Sequence, residues 1–245
     1  MLFRSLFHHN PGSMFEINYN FKFTKDFQKS FKIHINDDLE VNGFETSNPP
    51  DWALFENFRC QICKLDRNEH KHCPIAVNLN KIIPFFTDFP SYEKVTLTVE
   101  TPQRSYQKKT TIQEALGSMA GILMAGSKCP VMSKLKPMVK FHLPFAGIEE
   151  TGYRVLSMYL TAQYVKKSKG QEPDWELNGL NQLYKEIQIV NSSIAHLLSS
   201  LEEKDTGKNA VVMLNNFASF LTLRLEDKHF YEFEQLFKDH LKNPS

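Results

Sequence analysis

Cys60 and Cys63 stand at C-x2-C spacing, and a third sulfur, Cys73, returns after nine intervening residues with His70 and His72 just ahead of it. Sulfur and imidazole at this density are the donors of a metal site. The C-x2-C spacing gathers two sulfurs over one tight turn, and thiolates suit zinc or an iron–sulfur cluster. The chain has four cysteines, and the fourth, Cys129, shares a feature with Cys73: proline follows each directly, as Pro74 and Pro130. Proline is well tolerated as a first helical residue, so each of these sulfurs is expected at a helix start. There, free backbone N–H groups and the helix dipole favour the thiolate that a metal needs.

Two ligand sets compete. In one, Cys60, Cys63, Cys73 and Cys129 supply four thiolates; in the other, His70 replaces Cys129 and the site is Cys3His within one segment. His72 is adjacent to Cys73 and is poorly placed to share a tetrahedral ion with it. Between Thr101 and Lys140 there are seven basic residues and one acid, Glu114, a surround that would offset the negative charge of a four-thiolate zinc site. This favours the four cysteines, with His70 donating a hydrogen bond to a sulfur or standing in as ligand. Structural zinc is the first expectation and a [4Fe–4S] cluster or a reactive Cys60/Cys63 dithiol the alternative, against the plain reading of reduced thiols that hold nothing.

A second constellation is His142, Glu149, Glu150, Tyr153 and Arg154. An acid, an imidazole and a phenol together can do proton chemistry, with His142 and Glu150 at its centre. An i, i+4 ion pair between Glu150 and Arg154 plus a core-facing tyrosine explains the same residues more simply, so the reading leans away from an enzyme. Phosphate-binding loops, zinc-protease and serine-hydrolase signatures are absent from the sequence. The basic stretch from Lys128 to Lys140 lacks the interleaved stacking aromatics of a nucleic-acid surface.

The 245 residues carry 29 basic and 28 acidic side chains, so no overall field recruits a polyanion. Clustered cysteines without a secretory leader point to a reducing, cytoplasmic setting. Residues 1–13 read as a disordered extension ahead of a possible start at Met14, and the apolar run Ala115–Gly126 is about half the roughly 20 residues that span a bilayer.

The elements that must position these groups follow from periodicity. Phe15, Ile17, Tyr19, Phe21 and Phe23 alternate with polar residues, as do Phe31, Ile33 and Ile35, giving one antiparallel hairpin; Val95, Leu97 and Val99 with Ser105–Thr110 give a second. A short helix follows Pro74 and is bent or ended by Pro84. From Thr111 the period becomes helical, with Thr111 and Glu114 spaced as a capping box and Gly126 as a stop. Helices are expected from Pro130, over 149–165, from Leu177 to Leu201, over 210–225, and through Phe230, Phe233, Leu236 and Phe237. The class is α+β: an antiparallel sheet of two hairpins carrying the cysteine knuckle (14–110), packed on a helical bundle (111–245) as one unit.

Three segments carry a resemblance: the knuckle through Cys73-Pro74-Ile75-Ala76-Val77-Asn78-Leu79, the run from Cys129-Pro130-Val131-Met132 to His142-Leu143-Pro144-Phe145-Ala146, and Pro173-Asp174-Trp175-Glu176-Leu177. Over Met14 to about Asn191 the chain resembles an uncharacterised bacterial family, a domain of unknown function. The resemblance implies a bacterial cytoplasmic protein and transfers no catalytic residue. From the residues, the expected role is a metal-stabilised binding or regulatory module whose partner is another protein, with no membrane contact.

Overall fold

The computed structural model describes residues 15–42, 49–201, 205–227 and 231–242; residues 1–14 and Phe230, on which parts of the sequence reading fell, lie outside them. The alternating stretches form β1 (Phe15–Lys22) and β2 (Gln28–Ile35). On one face of β1 the side chains of Ile17, Tyr19 and Phe21 are fully buried, and the register sets Ile17 opposite Ile33 and Tyr19 opposite Phe31. Thr24 closes the hairpin by accepting the Phe27 N–H on its hydroxyl at 3.1 Å.

The sheet has five strands rather than the expected four. After Asn36, whose side chain accepts the Glu40 N–H at 2.8 Å, the chain returns as β3 (Val41–Asn42), pairing Val41 with Ile35. Two residues are too few to show a period, and β3 is held from outside the sheet, by Val41 N–H donating to the carbonyl of Gly126 at 2.9 Å.

The chain next makes a 3-10 turn at Asp51–Ala53 and the cysteine loop, and then α1 (Pro74–Leu79), which Pro74 opens as expected. Pro84 does not end a helix. It lies in the first turn of another, α2 (Ile83–Phe86), where its missing N–H costs nothing. Phe85 and Phe86 then pack with Phe89 on Phe21, Phe23 and Phe31 at ring-centroid distances of 4.8 to 6.1 Å. Such offset and edge-on ring pairs fasten α2 to the first hairpin.

The second hairpin is β4 (Lys94–Glu100) and β5 (Ser105–Thr111), and β4 also pairs antiparallel with β1. The strand order is β3-β2-β1-β4-β5, so the two hairpins join through β1 at the centre. Thr111 then caps α3 (Ile112–Ala125), accepting the Glu114 N–H on its hydroxyl at 3.4 Å. The expected box forms by half: the Glu114 carboxylate accepts the Thr110 hydroxyl instead.

Pro130 is followed by a 3-10 turn, Met132–Leu135, before α4 (Lys136–Lys140), in place of one helix starting at the proline. The long helices α5 (Ile148–Ser168), α6 (Asn178–Ser199) and α7 (Thr206–Asp227) match the expected periods. The final amphipathic helix is instead two short ones, α8 (Tyr231–Glu234) and α9 (Lys238–Leu241). One apolar core runs from the sheet through α1 and α3 to α6 and α7, so the class is α+β.

Gly126 marks the junction of β3 with α3. A Cβ there would stand 2.7 Å from Val41 Cγ2 and 3.2 Å from the Val41 backbone nitrogen, and backbone cannot move aside as a side chain can. Gly126→Ala is expected to lower stability by about 1–3 kcal/mol in urea denaturation, the usual cost of overpacking. An unchanged midpoint would show that β3 does not lean on α3.

Candidate functional site

The cysteine loop is closed by the chain on either side of it. Cys73 N–H donates to Ala53 O at 2.8 Å and Phe55 N–H to Lys71 O at 2.9 Å, and Leu54 and His72 form an antiparallel bridge. Inside the loop, Cys63 N–H donates to Cys60 O at 3.0 Å, the tight turn that C-x2-C spacing implies. Arg59, which the sequence reading passed over, pins that turn. Its guanidinium donates to the carbonyls of Cys63 and Leu65 at 3.2 and 2.8 Å and lies 5.1 Å over the Phe55 ring.

Cys73 stands at the N-cap of α1 and is buried. Burial pushes its thiol up to about 12, against the pull of hydrogen bonds from the Ala76 and Ile75 N–H groups; Cys129 and Cys63 raise it further by like charge. Cys129 is also raised chiefly by burial, opposed by the N–H groups of Met132 and Val131, with Cys60 and Cys63 adding like-charge repulsion. Each proline-linked sulfur therefore receives two backbone donors; Cys63 lies within electrostatic reach of both, Cys129 of Cys73, and Cys60 of Cys129. All are free thiols.

The convergence has a structural cause. Asn78 on α1 is buried and donates its side-chain amide to Leu123 O in the last turn of α3 at 2.9 Å. Cys73 begins α1 and Cys129 follows α3, where Ser127 Oγ accepts the Cys129 N–H at 3.3 Å. Among the described residues, however, no three His, Cys, Asp or Glu side chains are set close enough to hold a metal ion. The sulfurs are thus neighbours and not in ligating contact. The His70 backbone N–H closes a turn onto Asp66 O at 2.9 Å. Three of the basic residues read as charge compensation are engaged elsewhere: Lys136 pairs with Glu40 at 2.9 Å, Lys140 lies over Phe15 and Lys108 over Phe145.

The residues of the second constellation take separate partners. Glu150 accepts the Gly147 N–H at 2.9 Å and caps α5. Arg154 donates to Phe141 O at 2.6 Å and Met138 O at 3.4 Å rather than forming the expected ion pair with Glu150. Tyr153 is exposed and stacks on Phe237. The partner of His142 is Tyr19, at 2.7 Å from Nε2, with Ser118 Oγ 3.3 Å from the same phenol oxygen. Tyr19 was legible only as a core strand residue, since its contact with His142 spans half the chain.

A family model described as a domain of unknown function, DUF6901, matches residues 17–238. The chain belongs to this family. No curated protein and no solved structure is detectably similar to it. The match spans the cysteine loop, Cys129 and His142 alike, so the DUF6901 domain takes in both constellations. Among the described residues no helix of this DUF6901 chain is long and apolar enough to cross a membrane.

His142 gives the domain a definite acid response. Burial, and then the charge of Arg154, push its imidazole down to about 3. The unfolded chain, with an ordinary imidazole near 6.5, binds one more proton than the folded chain between those two values. His142 thus contributes stability that is complete above about pH 6.5 and is lost as pH falls towards 3, at up to about 1.4 kcal/mol per pH unit. Urea denaturation at a series of pH values should show a shallower acid decline in His142→Gln than in the parent; equal slopes would mean that the ring charges freely in the fold.

Proposed function

We propose that the protein is a zinc-binding module of the bacterial cytoplasm in which Cys60, Cys63, Cys73 and Cys129 hold one structural ion. In this reading the ion ties the cysteine loop to the segment after α3, and the domain serves as a binding or regulatory partner for another protein. The observation that carries it is the pair of matched sulfur environments. Cys73 and Cys129 each receive two backbone N–H bonds, the arrangement that stabilises a thiolate, while both sense the charge of Cys63.

Three partly buried free thiols near the buried Cys73 have no other evident use there. As neutral thiols they are weak donors left without strong acceptors, whereas as thiolates they repel one another unless a cation lies among them. A bound zinc would take up that charge and draw the sulfurs into contact, and closed sites of this donor type contribute directly to folding. His70 remains the substitute ligand should Cys129 stay out of the set.

Metal analysis of protein purified under reducing conditions tests this. The expected result is a colourless protein with about one zinc per chain, as for closed thiolate sites. A brown protein absorbing near 400 nm would move the reading to a [4Fe–4S] cluster. Cys129→Ser and Cys63→Ser should lose metal to a similar degree, each with a drop of several degrees in Tm. Full occupancy in the Cys129 variant would confine the site to the local segment with His70. Metal-free parent protein, recovered from zinc-supplemented cells, would end the proposal.

A further inference from the structure

A cavity of about 420 Å³ lies among α3, α4, the start of α5, α6 and α7, within the size range of small-molecule sites. Its walls are mostly apolar, yet three features, two of them polar, do not fit a sealed void. The first is Arg154, half-buried on the wall. Among the described residues its only hydrogen bonds are those from Nη2 to two backbone carbonyls, and no carboxylate is within ion-pair distance. Glu150, whose charge Arg154 senses, is already used on the Gly147 N–H, and Glu114, the acid of the lining, on the Thr110 hydroxyl. A guanidinium has five N–H donors in a planar fork suited to an acid group.

The second is Asn191, which is 2% exposed and lines the cavity, and whose side-chain oxygen has no hydrogen-bond partner among the described residues. A buried acceptor left unpaired costs free energy that an N–H or O–H donor in the cavity would restore. The third is Gly121 on α3, where an added Cβ meets nothing nearer than Leu214 Cδ2 at 3.9 Å, so the helix withholds a side chain where one would fit.

We propose that this cavity binds a small amphipathic organic anion, with its acid group on Arg154, its apolar body against Met138, Leu143 and Phe217, and an N–H or O–H donor on Asn191 Oδ1. Tyr184, Ile187 and Asn191 line one face of α6 at helical steps of three and four. Arg154 acts on Tyr184 at one end of that face, and Asn191 lies two turns on, about 10 Å along the helix axis at 1.5 Å per residue. The ligand is therefore elongated, with its donor well separated from its acid group. The lining holds two cations, Arg154 and Lys108, the second over the Phe145 ring, and is otherwise so apolar that a multiply charged phosphate ester is disfavoured. A cation is disfavoured by the same two charges.

The probe is 8-(dansylamino)octanoate, whose carboxylate and sulfonamide N–H stand at opposite ends of an apolar chain and whose fluorescence brightens on entering an apolar site. Parent protein at its native metal content should bind it saturably at one site. Decanoate should displace it at least about tenfold more effectively than decanol, because a charge-assisted bond to arginine outweighs a neutral one. Arg154→Gln should weaken the probe at least about tenfold. Gly121→Leu, which fills the cavity and leaves the Arg154 contacts alone, should abolish binding with no loss of Tm. Equal displacement by decanoate and decanol, undiminished binding in Gly121→Leu, or no saturable binding to the parent would each overturn the proposal. None of these outcomes depends on whether the cysteines hold zinc.

Discussion

A helix with almost no polar face must be covered from both sides, and α3 is such a helix. Of its fourteen residues ten are buried, among them Ile112, Leu116, Met119, Leu123 and Met124. Most surface helices bury a single stripe, so one layer is enough for them; α3 has to lie between layers. The sheet and α1 take one side and α7 the other, with α6 backing α7. The buried sheet face answers the same demand, since Tyr19, at the centre of β1, points its phenol at Ser118 on α3. The rest of the architecture can be read as the cover for this one element. Both candidate sites lie on its surface, the cysteines beyond its C-terminus and the cavity along its flank.

The fold was legible in the sequence wherever burial imposes a period over several residues. Alternation marked β1, β2 and β4, and apolar steps of three and four marked α5, α6 and α7, because in each case one face is buried and the other is wet. The failures are short or tertiary. β3 exists because Gly126 offers Val41 a carbonyl, and no local pattern announces that. Pro84 was weighed as a breaker, although proline in a first turn starts a helix as readily as it stops one. The cluster of phenylalanines that fastens α2 to the first hairpin was also missed. Phe85, Phe86 and Phe89 drew no reading from the sequence, and what makes them structural is the row of rings on β1 and β2 that they meet.

Legibility of the sites divides the same way. Cys60, Cys63 and Cys73 lie in one segment, and their spacing alone suggested a shared turn, which the Cys63-to-Cys60 bond forms. What brings Cys129 near them is the side chain of Asn78 on Leu123 O, and an asparagine inside a short helix carries no such signal. The capping role of Glu150 was available from its position three residues after Gly147, the N3 place of a helix start, yet it was read as a catalytic candidate beside His142. The charge count from Thr101 to Lys140 was accurate as a count. It misled as a map, because Lys136, Lys140 and Lys108 turn towards Glu40, Phe15 and Phe145.

The glycines of α3 bring the two levels together. The sequence showed a helix unusually rich in small residues, and the inference from such a surface is close approach by a neighbour. That holds at Gly117, where a Cβ would stand 3.3 Å from the Ala210 carbonyl oxygen of α7, and at Gly126, where it would meet β3. It does not hold at Gly121, one turn from Gly117, where the nearest atom is a leucine methyl at ordinary contact distance. Three residues of one type on one helix thus have different consequences: two let backbone in, and the third leaves room. A composition argument cannot separate them, because each glycine is defined by what faces it. At Gly121 what faces it is the cavity that also presents Arg154 and Asn191, and a core packed only for stability would have filled that space with a methyl group at little cost.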